Sequence, residues 1–130
     1  MPLSLATILI VDDHEPTLRE WKALLKTYAL QVLVAERGQQ AFEMACQFQP
    51  QVIVSDLDMP KMNGFQLLSL LKSASETEQI PVVICSATTD DTSKYLAQTL
   101  GAIAYLEKPL QLSQLIAVIE HQLDPLVSLA

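Results

Sequence analysis

Glycine is scarce in this chain. Gly38, Gly64 and Gly101 are the three in 130 residues, too few and too far apart for a dinucleotide fingerprint or a phosphate-cradling P-loop. Cysteine is scarcer. Cys46 and Cys85 do not make a disulfide framework, and each sits in an apolar segment, so two small buried hydrophobes in a reducing compartment are expected. Positive charge is also short: eight Lys and Arg against fifteen Asp and Glu give a formal net charge of −7. That balance argues against a broad electrostatic grip on nucleic acid or anionic lipid. No apolar run approaches the ~20 residues that cross a bilayer. The N-terminus carries no basic residue before its apolar stretch, so no secretory signal is read and a cytoplasmic protein is expected.

What is present is the material of one globular domain. Half the residues are apolar and 18% are charged, and a chain of this length buries a core without staples. No linker or repeat divides it; a domain over residues 1–124 and a short tail over 125–130 are expected. Short runs rich in Val, Ile and Leu recur at Thr7 to Val11, Gln31 to Ala35, Val52 to Ser55, Pro81 to Ser86 and Ala102 to Leu106. Continuous apolar runs of this length mark strands buried on both faces. Between them the spacing predicts helices over Glu15 to Tyr28, Gln39 to Phe48, Phe65 to Ser73 and Asp90 to Leu100, and a last one from Leu112 to Leu123. Leu18, Trp21, Leu25 and Tyr28 share one face of the first, Asn63 can cap the third, and Gly101 can close the fourth. Five βα units imply an α/β fold, a doubly wound parallel sheet covered on both faces.

Ligands of such sheets bind at the carboxyl ends of the strands. The first strand runs into Asp12-Asp13, the third into Asp56, the fourth ends at Ser86, and the fifth leads to Lys108-Pro109. Three carboxylates on one rim disfavour joint ionisation unless a cation sits among them. Mg²⁺ suits that need, since it takes one or two carboxylates, waters and a phosphate oxygen. With Lys108 the charges nearly cancel, and the site is poised to accept a phosphoryl group on Asp56 as carboxylate nucleophile.

Taken together, Asp12-Asp13, Asp56 with Met59-Pro60 and Asn63-Gly64, Ser86-Ala87, Gly101-Ala102, and Tyr105 with Lys108-Pro109 resemble the receiver domains of two-component response regulators, over about residues 6 to 124. The resemblance implies a flavodoxin-like sheet of order 2-1-3-4-5 with five helices, in a stand-alone chemotaxis-type regulator. It implies Mg²⁺ held by Asp12, Asp13, Asp56 and the main-chain carbonyl of Asp58. Asp56 is then the phosphorylated residue, with Ser86 and Lys108 contacting the phosphoryl group and Ser86 and Tyr105 forming the switch. Asp58 and Thr88 occupy the positions that tune hydrolysis. Such a domain is a signalling module, catalysing only its own phosphorylation and dephosphorylation. Its implied partners are a sensor histidine kinase or histidine phosphotransfer protein and a downstream protein target read by the fourth helix, fifth strand and fifth helix. Direct nucleic-acid and membrane contacts are not implied; a weak homodimer is allowed.

Two features depart from the family pattern. Leu110 stands where an aromatic often follows Lys-Pro. The last helix should bury Leu112, Leu115, Ile116, Ile119 and Leu123 and leave Ser113, Gln114, Ala117, Val118 and His121 outside, a lightly charged face that either docks a partner or faces solvent. His14 and His121 read as surface residues, and Met59 and Met62 as loop packing. Asp56-Leu57-Asp58-Met59 also fits the opening of a haloacid dehalogenase-like phosphatase motif. In that family the acidic metal pair comes last, whereas here the pair comes first; Asp90-Asp91 could stand as a substitute, but it sits at a helix start, and the chain is short for such an enzyme.

Overall fold

The computed structural model describes residues 6–28, 30–88 and 90–122. The strands are β1 (Ala6–Val11), β2 (Leu30–Ala35), β3 (Val52–Asp56), β4 (Val82–Ser86) and β5 (Ala104–Glu107). The helices are α1 (Glu15–Leu25), α2 (Gly38–Phe48), α3 (Gly64–Ser73), α4 (Asp91–Thr99) and α5 (Leu112–Gln122). All pairings are parallel, and the sheet order is β2-β1-β3-β4-β5. The expected Leu123 and the tail over 125–130 lie outside the described residues.

Side chains alternate across the sheet with period two and build two cores. Ile8, Ile10, Val52, Val54, Val83, Cys85 and Leu106 pack against Leu18 and Leu25 of α1 and Leu115 and Ile119 of α5. Leu9, Val11, Ile53, Val82 and Ile84 face the other way, onto Ala41 and Ala45 of α2, Leu67, Leu68 and Leu71 of α3, and Ala97 of α4. Fully burying each Leu or Ile contributes about 1.5–3 kcal/mol. Trp21 and Tyr28 pack on the first core from half-buried positions, as does Val118, which the helical spacing had placed outside. Cys46 is half-buried and Cys85 buried; both are free thiols.

Several element ends differ from the sequence reading for local reasons. The first helix stops at Leu25 and tightens into a 3-10 turn over Lys26–Tyr28, where Thr27 Oγ1 donates to Leu24 O at 2.8 Å. β4 begins after Pro81, which has no N–H to give the ladder, although its carbonyl accepts from Ile53 N–H. Residue 102 is not strand because it finishes α4, and Ile103, whose N–H donates to Val82 O, leads from that closure into β5. Gly101 N–H donates to Gln98 O and Ala102 N–H to Ala97 O, with Gly101 at φ +105°, which is a Schellman closure. α3 starts in a capping box: Asn63 Oδ1 accepts from Gln66 N–H at 2.9 Å, and Gln66 Oε1 from Asn63 N–H at 2.8 Å.

Candidate functional site

The parallel register brings the strand ends level. Asp56 is paired with Cys85 and Ser86 with Glu107. Beyond the ladder, Leu57 N–H donates to Cys85 O, Lys108 N–H to Ser86 O, and Asp12 N–H to Ala35 O. These bonds carry the sheet's order one residue further, into the loops that hold the polar groups.

On this rim one oxygen from each of Asp12, Asp13 and Asp56 lies within 4.8 Å of the others. Asp12 and Asp56 are buried, while Asp13 is exposed. Lys108 Nζ stands 2.8 Å from Asp56 Oδ1 and 3.4 Å from Asp12 Oδ2. Asp12 Oδ1 also accepts from His14 N–H at 2.9 Å. Burial pushes the Asp56 carboxyl above its ordinary 3.8; Lys108 draws it back without cancelling the rise, and the Asp12 charge adds to it. For Lys108, burial acts downward, but Asp56 and Asp12 outweigh it and the ammonium is held above 10.5. The lysine therefore stays charged, and a second cation among the carboxylates would relieve the remaining repulsion. Two buried carboxylates beside an exposed one form an all-oxygen donor set that fits a hard divalent cation.

Ser86 is buried on the opposite side of Asp56 from β1, at the end of β4. Its Oγ accepts from Thr88 N–H at 3.0 Å. The Thr88 carbonyl accepts from the Tyr105 hydroxyl at 2.6 Å, so Thr88 joins Ser86 to Tyr105 through its own main chain. The Asp58 side chain is exposed and stands outside the carboxylate group, but its main-chain N–H bears on Asp56. Thr88 is exposed. The peptide bond between Lys108 and Pro109 is cis.

The remaining candidates take ordinary places. His14 is exposed beside α1, its Nδ1 paired with Thr17 Oγ1, and His121 is exposed on α5. Met59 is buried, and Met62 lies over Gly38. Burial pushes the Cys85 thiol up to about 12, which leaves it an inert core residue. Asp90 caps α4, accepting from Ser93 N–H at 2.7 Å, so half of the acidic pair required by the phosphatase reading is engaged as a helix cap.

Sequence reasoning missed two parts of this site. Thr88 was read only by position, whereas both of its main-chain polar groups are used. A cleft of about 460 Å³ also opens from Asp12, Asp56 and Lys108 between α1 and α5, lined by Trp21, Leu110 and Leu115.

A family model for the response regulator receiver domain matches residues 8–120. The chain is 37% identical over 115 residues to protein PilH of Pseudomonas aeruginosa, covering 88% of this chain and 95% of PilH. It is 38% identical over 109 residues to Histidine kinase P4 of Formosa agariphila, covering 84% of this chain but 8% of that much longer protein. Among solved structures, chemotaxis protein CheY4 of Vibrio cholerae superposes with a TM-score of 0.86 at 26% identity, covering 92% of this chain and 99% of that one. A receiver domain protein from Clostridium thermocellum gives 0.84 at 29% identity, covering 91% and 94%. With fold, strand order and sequence in agreement over nearly its whole length, this chain belongs to the response regulator receiver domain family of two-component signalling.

Proposed function

We propose that this protein is a phosphorylation-dependent switch in which Asp56 accepts a phosphoryl group from a phosphohistidine of a sensor kinase or phosphotransfer protein. The observation that carries this reading is the Lys108 ammonium 2.8 Å from Asp56 Oδ1, inside a group of three carboxylates. A carboxylate nucleophile needs its charge exposed to phosphorus and its surroundings able to neutralise three phosphoryl oxygens. Asp12, Asp13 and Asp56, with the main-chain carbonyl of Asp58, are the groups that would hold Mg²⁺. When bound, the ion supplies electrostatic screening of the phosphoryl oxygens. Lys108, released from its contact with Asp56, would turn to a phosphoryl oxygen.

Ser86 supplies the link to the surface. Its Oγ already accepts from Thr88 N–H, which leaves the hydroxyl proton free for a phosphoryl oxygen. Drawing Ser86 inward pulls on Thr88, and Thr88 is bonded to Tyr105. The output face is then α4, β5 and α5, where a downstream protein reads the state. Phosphorylation biases a pre-existing equilibrium, and moving it from 1:99 to 99:1 takes roughly 5.5 kcal/mol of differential stabilisation. A few charge-assisted hydrogen bonds are of that size. Asp58 and Thr88, both exposed near the site, would set how readily water reaches the phosphoryl group. A cytoplasmic setting fits these phosphodonors.

Intact mass after incubation with Mg²⁺ and acetyl phosphate tests the reading. One added phosphoryl group, dependent on the metal and absent from Asp56→Asn, supports it. An adduct that persists in Asp56→Asn overturns it.

A further inference from the structure

Asp12 and Asp56 are each 6% exposed, and both line a cleft of about 460 Å³ between α1 and α5. That is within the roughly 300–1,000 Å³ of pockets that take small organic molecules. Val54 and Asp56 lie two apart on β3 and project on the sheet face that α1 and α5 cover, so the carboxylates adjoin an apolar floor. Trp21 of α1 stands on one side of it and Leu115 of α5 on the other. Charge at the cleft is unbalanced. Asp12, Asp56 and Glu20 face one cation, Lys108, which is already held 2.8 Å from Asp56. Its Nζ is 3.4 Å from Asp12 Oδ2, beyond the roughly 2.7–3.2 Å of a good N–H···O bond. Among the described residues no other donor reaches that oxygen, since His14 N–H is given to Oδ1. A buried carboxylate oxygen on the cleft is thus loosely held and open to a second donor.

We propose that the cleft binds primary ammonium ions that carry an aromatic ring on a short chain, and that such a ligand opposes phosphorylation. The ammonium donates to Asp12 Oδ2 and offsets the excess negative charge, with Glu20 adding attraction from the rim. The ring lies on the floor at Val54, between Trp21 and Leu115, where edge-to-face contact with the indole adds to the area it buries. A neutral ligand of the same shape leaves the excess charge as it was. Asp12 belongs both to this site and to the group that would hold Mg²⁺, so the amine and the ion exclude one another. That exclusion rests on the reading of Asp12 and Asp56 as metal ligands. An occupied cleft then keeps the protein from the metal that its phosphorylation needs.

Trp21 is the single tryptophan and lines the cleft, so its emission reports on the site. Phenethylammonium titrated into the full chain without metal should change that emission saturably, with half-saturation at about 1 mM, an affinity open to so small a ligand. Phenethyl alcohol, which lacks the charge, and methylammonium, which lacks the ring, should each bind about tenfold more weakly or worse. Asp12→Asn should bring the amine to the level of the alcohol and leave the alcohol unchanged. Leu110→Phe or Thr17→Leu, filling the cleft from its two sides, should abolish the saturable response; two variants guard against one that fails to fold. Saturating Mg²⁺ should raise the half-saturation point by about tenfold or more. Equal responses to amine and alcohol, or an unchanged response in both filled variants, overturns the proposal. So does indifference to Mg²⁺ in protein that acetyl phosphate modifies in the same buffer. The phosphoacceptor reading is tested apart from this, by the Asp56 adduct formed without amine, so either can fail alone.

Discussion

A β-carbon on Gly64 would stand 2.7 Å from the main-chain oxygen of Asp56 and 2.8 Å from Leu57 Cα. The start of α3 and the end of β3 therefore lie backbone against backbone, tied by Gly64 N–H donating to Leu57 O at 2.8 Å. The contact that seats the helix also fixes the residue carrying the nucleophile, and neither main chain can yield as a flexible side chain could. Gly64→Ala should destabilise the fold by roughly 2–3 kcal/mol through overpacking and slow phosphorylation of Asp56. A urea unfolding midpoint equal to the wild type's would contradict this contact.

Asp56 is costly to the fold. Its carboxyl is raised in the folded state above 3.8, so between the two values the folded chain binds more protons than the unfolded one. Stability then falls as pH rises through that window, and the penalty is fully present above it. Without metal, Asp56→Asn should raise the melting temperature at neutral pH by a few degrees, about the range of a single favourable substitution in a domain of this size. The gain should vanish as pH drops below the ordinary carboxylate value. Thermal unfolding from pH 3 to 7 checks the sign; a variant less stable than the wild type at neutral pH contradicts it.

Lys108 should act on both rate and titration. Lys108→Ala removes the ammonium beside Asp56 Oδ1 and leaves Asp12 and Asp56 repelling each other across the site. Phosphorylation by acetyl phosphate should slow by about a hundredfold, as when one preorganised charge-stabilising group is deleted. The acid limb of the rate profile should shift upward in pH, because the group lowering the Asp56 carboxyl is gone. An unmoved acid limb would separate Lys108 from Asp56.

Ser86→Ala should leave Asp56 able to accept a phosphoryl group while weakening the response on α4, β5 and α5. Thr88 N–H loses its acceptor, at a cost of about 1 kcal/mol, and the chain of contacts to Tyr105 loses its first member. Amide chemical shifts with and without phosphorylation measure this. Wild-type shifts throughout the three elements of the variant would sink the proposed coupling.

The framework of the molecule was legible because its physics is local. Strands buried on both faces must be apolar throughout, so Ile8 to Val11 and Val52 to Val54 announce themselves, and Asp12 and Asp56 mark where the apolar runs end. The fifth strand was read two residues early because Ala102 and Ile103 look like strand, while the Schellman closure at Gly101 claims Ala102 for the helix end. Gly64 was read only as the neighbour of a capping Asn63, since its approach to Asp56 depends on how α3 meets the sheet. The link from Ser86 through Thr88 to Tyr105 joins residues up to 19 apart through a main-chain carbonyl, and composition carries no trace of it. The cleft is a volume left unfilled between α1 and α5, and space of that kind appears only once side chains have been packed.

In the proposed switch Asp56 itself carries the phosphoryl group. Borohydride reduces an acyl phosphate and leaves a free carboxylate intact, so treating the Mg²⁺- and acetyl phosphate-loaded protein and mapping its peptides locates the adduct. Homoserine at position 56, formed only when donor and metal are both present, is the expected result. An unaltered Asp56, with the phosphoryl group found on another residue such as His14, would remove Asp56 from the role of acceptor.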